Sequence, residues 1–436
     1  MKYVSTRGQA GKVTSAQAIL GGLAPDGGLF LPVEFPHFTP EELAALVGLD
    51  YQALARKILG LYLSDFAPEE LGRFIAKAYG ENFATSEITP LTVINENLSF
   101  LELWHGPTCA FKDLALQLLP YLLTAASRQS GLNKEIVLLV ATSGDTGKAA
   151  LAGFKDVPGT KVIVFYPEDG VSAVQKRQMV TQEGANVYVV GIRGNFDQAQ
   201  AGVKAIFADG RLRQELEAAG KTFSSANSIN WGRLVPQIVY YFKAWADLLK
   251  AKCLTSGESF NLVVPTGNFG NILAAYYGKK MGLPLHKLIC ASNANNVLTD
   301  FIRTGEYNRK RSFYQTSSPS MDILVSSNLE RLLYELTGED ASAVRALMEQ
   351  LRTRGSYRLT TEQLHRLQTD FWASFADEEA TKAVLKEVYT EFDYLIDPHT
   401  AVGYKVYADY VQETGDRRPT VIAATASPFK FNTGVA

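Results

Sequence analysis

Cysteine is scarce in this chain of 436 residues: Cys109, Cys253 and Cys290 are all it has. They form no CxxC and no Cys/His cluster at zinc spacing, which excludes a zinc finger and a disulfide scaffold. An odd, sparse set suits a reducing compartment. An excess of one charge is also lacking. Lys and Arg number 43 against 45 Asp and Glu, a formal net charge of -2. Such a balance leaves no electrostatic footprint for nucleic acid or an anionic membrane. Even "NRKRS" (308–312) reads as a solvated loop. No run of 18 apolar residues occurs, so no membrane-spanning helix is expected. The opening "MKYVSTRGQAGKV" has no apolar core of a signal peptide, and the cytoplasm is the expected address. Internal repeats and low-complexity segments are absent, as are a Walker A loop and a GxGxxG fingerprint.

What is present is a globular composition, 46% hydrophobic and 20% charged, with length enough for two or three structural units. Up to about residue 95 the chain reads as turns and helices. "TPEELAALVG" (39–48) and "APEELGRFIAKAYG" (67–80) carry Pro at a first helical position, acidic residues in the first turn and apolar residues at helical spacing. Strands and helices then alternate. "EIVLLVAT" (135–142), "TKVIVFYP" (160–167), "ANVYVVGI" (185–192), "FNLVVPTG" (260–267), "KLICAS" (287–292) and "TVIAATAS" (420–427) read as strands. Helices are expected from 148, at 171–184, at 195–209 and at 270–282. This alternation predicts an α/β fold with a mostly parallel sheet, whose ligands sit at the carboxyl ends of strands.

Three features lie at such ends or in similar loops. "SGDTG" (143–147) joins a strand to a helix. Its N–H groups can bind an anion, or Ser143, Asp145 and Thr146 can simply cap the helix. "PTGNFGN" (265–271) also joins strand to helix. Gly267 and Gly270 allow close backbone approach, so this is either a phosphate cradle or a tight turn. Lys112 stands in "HGPTCAFKD" (105–113). It either leans its stem on Phe111 with its ammonium in water, or sits in a pocket as a nucleophilic, Schiff-base-forming amine of lowered pKa. Two anion loops and a reactive lysine are together what pyridoxal 5'-phosphate (PLP) requires.

Eight segments, in order along almost the whole chain, carry a family resemblance: "YVSTRG" (3–8), "GLAPDGGLFLP" (22–32), "HGPTCAFKD", "ATSGDTG" (141–147), "NSINWGRLVPQIVYY" (227–241), "VPTGNFGN" (264–271), "SPSMDI" (318–323) and "DPHTAV" (397–402). The chain resembles threonine synthases, PLP enzymes of fold type II. That resemblance implies two lobes with mostly parallel, twisted sheets and a mainly helical N-terminal region at 1–95. The catalytic core would be 96–436, with a small lobe at about 136–225. The implied reaction converts O-phospho-L-homoserine and water to L-threonine and phosphate, a carbon–oxygen lyase step ending threonine biosynthesis. Lys112 would bond to the cofactor and act as base. Gly267, Asn268, Phe269, Gly270 and Asn271 would hold its phosphate, and Thr425 its ring nitrogen. Ser143, Gly144, Asp145 and Thr146 would bind the amino-acid substrate. Asn230 and Arg233 are candidates for the substrate phosphate, or for capping the helix that follows. Ser320 and Asp322 receive no role. No metal is expected, and a monomer or homodimer is.

Two departures stand out. Cys109 replaces an aliphatic residue and is read as packing, without a redox role. The family's "STAHPAKF" appears as "ATASPFKF" (424–431), with Ser427 for histidine and Phe429 for a small residue. A dehydratase or phospho-amino-acid lyase of the same fold would share Lys112 and the glycine loop. A non-catalytic homologue would be expected to have lost one of them.

Overall fold

The computed structural model describes every residue except 133, 169, 195 and 432–436. Its strands, in chain order, are β1 (Tyr3–Ser5), β2 (Phe30–Pro32), β3 (Leu91–Asn95), β4 (Leu98–Glu102), β5 (Glu135–Ala141), β6 (Thr160–Pro167) and β7 (Val187–Ile192). There follow β8 (Lys221–Ser224), β9 (Phe260–Pro265), β10 (Leu285–Ser292), β11 (Glu306–Asn308), β12 (Ser356–Arg358), β13 (Phe371–Phe375) and β14 (Thr420–Ala424). Two sheets dominate. The larger runs β13-β10-β9-β14-β4-β3, parallel throughout except that β3 is antiparallel to β4. The smaller runs β7-β6-β5-β8 and is wholly parallel. The span read as a small lobe at about 136–225 holds this second sheet.

Parallel strands covered on both faces favour near-continuous apolar side chains. β9 and β14 are buried at every position and apolar apart from Asn261 and Thr420. β3, which ends at the expected border near 95, pairs with β4 and belongs to the larger sheet. The first region is mainly helical, with β1 and β2 as a short antiparallel pair.

The helix Tyr51–Tyr62 shows how the first region attaches. Asp50 caps it by accepting from the Ala53 N–H, and Leu54, Ala55, Ile58, Leu59 and Tyr62 form its buried stripe. It packs on the helix Pro236–Lys250. The fully buried Trp231 is the hub, with Tyr3 at 5.3 Å and Tyr62 at 5.6 Å between ring centres. The motif "YVSTRG" clamps a distant helix. Arg7 pairs with both carboxylate oxygens of Glu330 at 3.0 and 2.9 Å, and the Thr6 hydroxyl donates to Glu330 at 2.6 Å. Next to it, Arg331 donates to the carbonyls of Phe30 and Ile229. The N-terminal region therefore braces the segment that leads into Trp231.

Candidate active site

β4 and β14 are neighbours, and the loops that leave them stay together. Ala110 and Ala426 form an antiparallel bridge. The Phe111 N–H donates to the Thr425 carbonyl at 2.9 Å, and the Ser427 N–H to the Cys109 carbonyl at 3.1 Å. Cys109 holds a positive φ of 57° to make the turn. Inside that turn Asp113 accepts from the Thr108 N–H and hydroxyl at 2.8 and 2.7 Å. Burial pushes the Asp113 carboxyl up to about 6 against the lowering effect of those bonds. A Cβ on Gly106 would lie 2.5 Å from Cβ of Asp113, so glycine is required there.

These clips fix Lys112. Its side chain is buried, its ammonium 4.5 Å above the Phe111 ring, 3.4 Å from the Ser320 hydroxyl and 3.6 Å from Asp145. Burial lowers its pKa, Asp145 pulls it back up, and Lys430 and Arg233 push it down. The net shift is downward, toward a neutral amine that can act as nucleophile or base.

Asp145 begins the helix Asp145–Gly153 directly after the β5 strand and its loop. Gly144 has φ of +134°, and a Cβ there would meet the Gln175 side chain at 2.4 Å. The Thr142 hydroxyl accepts from the N–H groups of Gly144 and Gly147, which tightens the loop. The Asp145 carboxylate accepts from Lys430 at 2.6 Å, Gln175 at 2.9 Å and Ser320 at 3.3 Å. Burial pushes its pKa up, but Lys430 and Lys112 outweigh this and hold it well below the usual carboxylate range. Ser143 and Thr146 are half-buried, and their hydroxyls make no hydrogen bond among the described residues.

The glycine loop follows β9. Its carbonyls are taken: Gly267 accepts from the Ser326 hydroxyl, and Asn268 from the N–H and side-chain amide of Asn328. The N–H groups of Gly267, Asn268 and Phe269 make no hydrogen bond among the described residues. Phe269 adopts φ of 66° just before the helix Gly270–Lys280, with its ring buried near Phe371. Asn271 receives the hydroxyls of Tyr240 and Tyr241 on its Oδ1, which leaves its buried Nδ2 without a partner. Free N–H groups, an oriented amide donor and a helix N-terminus are what an anion site needs. A Cβ on Gly267 would lie 2.6 Å from the Ser320 carbonyl, so the loop and the "SPSMDI" segment touch.

Thr425 closes the group of expected residues. It is buried beside the Lys112 loop, with its hydroxyl unbonded among the described residues. Arg233 is buried, donates to the Ala226 carbonyl and leaves Nε unpartnered. Burial lowers its pKa to about 10. Its charge pushes the Lys112 amine down in pKa. Asn230 is different. Its amide donates to the carbonyls of Ile19 and Ser225, and its oxygen accepts from the Gly232 N–H. Its oxygen thus caps the helix Trp231–Leu234 and its amide nitrogen ties down two carbonyls, an arrangement that matches the capping alternative.

Lys430, Gln175, Ser320 and His399 enter the site without having been picked as site residues. The signal available for Lys430, Ser320 and His399 was membership of "ATASPFKF", "SPSMDI" and "DPHTAV", which says that a segment matters and not which atom faces inward. The departures are accommodated. Phe429 is 74% exposed, so its bulk displaces nothing. Burial raises the Cys109 thiol, which keeps it protonated and in line with a packing role.

The site brings together a buried amine, a buried carboxylate and a loop of unbonded N–H groups. The profile "Threonine synthase N terminus" matches residues 2–79, and "Pyridoxal-phosphate dependent enzyme" matches 88–426. "Threonine synthase-like 1" of Pongo abelii is 44% identical over 95% of this chain. The chain spans 56% of the length of that relative, as it does for its human, macaque and mouse counterparts. The threonine synthase of Pseudomonas aeruginosa is 40% identical, covering 99% of this chain and 89% of that one. The crystal structure of PLP-bound threonine synthase from Brucella melitensis superposes with a TM-score of 0.91 at 40% identity, covering 100% of this chain and 90% of that one. Sequence, fold and site together make this chain a member of the threonine synthase family of pyridoxal-phosphate-dependent enzymes.

Proposed function

We propose that this protein is a threonine synthase: with PLP as cofactor it converts O-phospho-L-homoserine and water to L-threonine and phosphate. The observation that carries the reading is the buried Lys112 amine, set beside the paired Asp145 carboxylate in a site that includes an anion seat. The residues fit the cofactor, because the unpartnered Asn271 Nδ2 and the free N–H groups of Gly267, Asn268 and Phe269 await an anion. When bound, PLP supplies an electron sink for negative charge on the amino-acid skeleton.

This chain's residues do the rest. Asn271, the loop N–H groups and the turn at Gly270 hold the cofactor phosphate. Thr425 would offer the ring nitrogen a neutral hydroxyl rather than a carboxylate. Lys112 would remove the proton from the substrate Cα, since burial makes its neutral form accessible. A second proton leaves Cβ as the C–O bond to the γ-phosphate breaks, a proton is delivered to Cγ, water adds at Cβ, and a proton returned to Cα completes threonine. Ser143, Gly144 and Thr146, at a helix N-terminus, receive the substrate carboxylate. Arg233 offers a fixed guanidinium fork to the phosphate. Closure of the lobe at about 136–225 keeps water out until the addition step.

The reading carries a cytoplasmic location, a small-molecule substrate, and a monomer or homodimer that binds neither nucleic acid nor membrane. Among the described residues no helix is long and apolar enough to cross a membrane. The test is product analysis: threonine and phosphate in equal amounts are expected from O-phospho-L-homoserine. Release of 2-oxobutyrate and ammonia without threonine would instead assign a dehydratase.

A further inference from the structure

The segment "SPSMDI" forms a short 3-10 turn, Pro319–Met321, wedged between the glycine loop and Lys112. Its scaffold is heavily tied. Asn293 donates to Asp322 at 2.8 Å and to the Ser318 hydroxyl at 3.0 Å, and the Thr316 hydroxyl donates to Asp322 at 2.7 Å. At its apex the Ser320 N–H donates to His399 Nε2 at 3.2 Å. His399 is buried, and its Nδ1 lies 2.6 Å from Asp397. An acceptor carboxylate at Nδ1 fixes the proton there, so Nε2 is the free acceptor that the Ser320 N–H needs. The outcome is a hydroxyl, Ser320 Oγ, 3.4 Å from Lys112 Nζ and 3.3 Å from Asp145 Oδ2.

We propose that Ser320 is a catalytic residue whose hydroxyl accepts from the Lys112 amine and sets its place and basicity, and that Asp397–His399 is the positioning pair that holds Ser320 there. The proposal rests on the reading of Lys112 given above. Two observations favour it over a purely structural role. The hydroxyl bridges Lys112 and Asp145, whereas a fold-stabilising serine would bond to its own loop. The backbone of Ser320 also abuts Gly267, so one rigid turn gauges the distance from the anion seat to the amine. The charged groups acting on Lys112 are Asp145 from the helix after β5, Lys430 from the C-terminal turn and Arg233 from the helix Trp231–Leu234. Ser320 adds a neutral acceptor, and an acceptor favours the ammonium. Without it, burial, Lys430 and Arg233 act with less opposition.

The experiment is capture of PLP by the purified protein across pH, fixed with borohydride and mapped to Lys112 by mass spectrometry. Wild type, Ser320→Ala, Ser320→Thr, His399→Ala and His399→Gln are compared, with thermal midpoints measured alongside. Ser320→Ala should fold and capture, with the pH midpoint of capture lowered by about 1 unit and kcat reduced about 100-fold at little changed KM. Ser320→Thr keeps a hydroxyl and should recover most of both. His399→Ala should copy Ser320→Ala, and His399→Gln, which can present an oxygen near the Nε2 position, should restore it. A midpoint and kcat in Ser320→Ala equal to wild type would overturn the role of Ser320. A His399→Ala that melts earlier but keeps the wild-type midpoint would overturn the positioning pair. No capture at Lys112 in wild type would sink the cofactor reading itself, and this proposal with it.

Discussion

Lys112 owes its lowered basicity first to burial, and Asp145 keeps its ammonium from being lost altogether. Lys112→Ala should therefore abolish covalent capture of the cofactor and reduce turnover by at least about 1000-fold, given what a nucleophilic base contributes. Titration with PLP followed at its absorption band would check this. Asp145 is the matching anion. Asp145→Asn leaves Lys112 and Lys430 facing each other in a buried site, a loss of about 3 kcal/mol for a broken buried pair. The folded-state pKa of Asp145 lies below its unfolded value. Its contribution is therefore present above about pH 4 and lost as pH falls through the folded value. Chemical denaturation at pH 7 and pH 3 should show the variant much weaker than wild type at pH 7, with the gap shrinking in acid. An equal gap at both would contradict the pairing. At this scale the sequence was legible where a residue type is itself unusual. A lone lysine behind a Gly-Pro turn drew notice, as did two glycines astride an asparagine. Lys430 did not, because a lysine near a terminus looks solvated until the fold buries it against Asp145. Asn230 stayed open because asparagine serves equally as ligand and as cap, and its partners show the cap.

The elements that position the site are loops held on strand ends. Gly267→Ala places a Cβ 2.6 Å from the Ser320 carbonyl, a backbone atom that cannot rotate away. It should weaken PLP binding at least about 10-fold with only a modest change in melting temperature, since about 1.4 kcal/mol of lost fit is a factor of ten. Fluorescence titration of the apoprotein would measure it. β5, β6, β7, β9, β10 and β14 were readable as apolar runs, whereas β3, β4, β8 and β13 were not read as strands. β6 runs over Thr160–Pro167 and β10 over Leu285–Ser292, close to the expected 160–167 and 287–292. The helix after β5 was expected from 148 and starts at Asp145. Its first turn, "DTG", lacks the apolar periodicity that marks a helix, although an acidic first residue suits the dipole. β13 gave no signal of its own. It follows the helix Thr361–Asp370 without a loop, so no turn residues announce it. The first residue of the helix expected at 195–209 lies outside the described residues; Phe196–Ala208 is helical.

At the scale of the molecule, two parallel sheets share one site, and the smaller sheet brings Asp145 to Lys112 on the larger one. If the small lobe closes on substrate, scattering from the holoenzyme should show a smaller radius of gyration with O-phospho-L-homoserine than without it. Superimposable profiles would count against closure. Alternation of strands and helices was enough to foresee an α/β architecture with a mostly parallel sheet; the small lobe came only from the family resemblance. That alternation could not foresee the clamp of Arg7 on Glu330, because contacts across more than 300 residues leave no local pattern. The central claim is that the Lys112 amine, with PLP, turns O-phospho-L-homoserine into threonine. Its most direct test is one assay on wild type and Lys112→Ala, following the cofactor's absorption band while phosphate and threonine are counted. The account predicts a band that shifts on substrate addition, equal phosphate and threonine from wild type, and none of these from the variant. A wild-type protein that binds no PLP, or that releases phosphate without threonine, would contradict it.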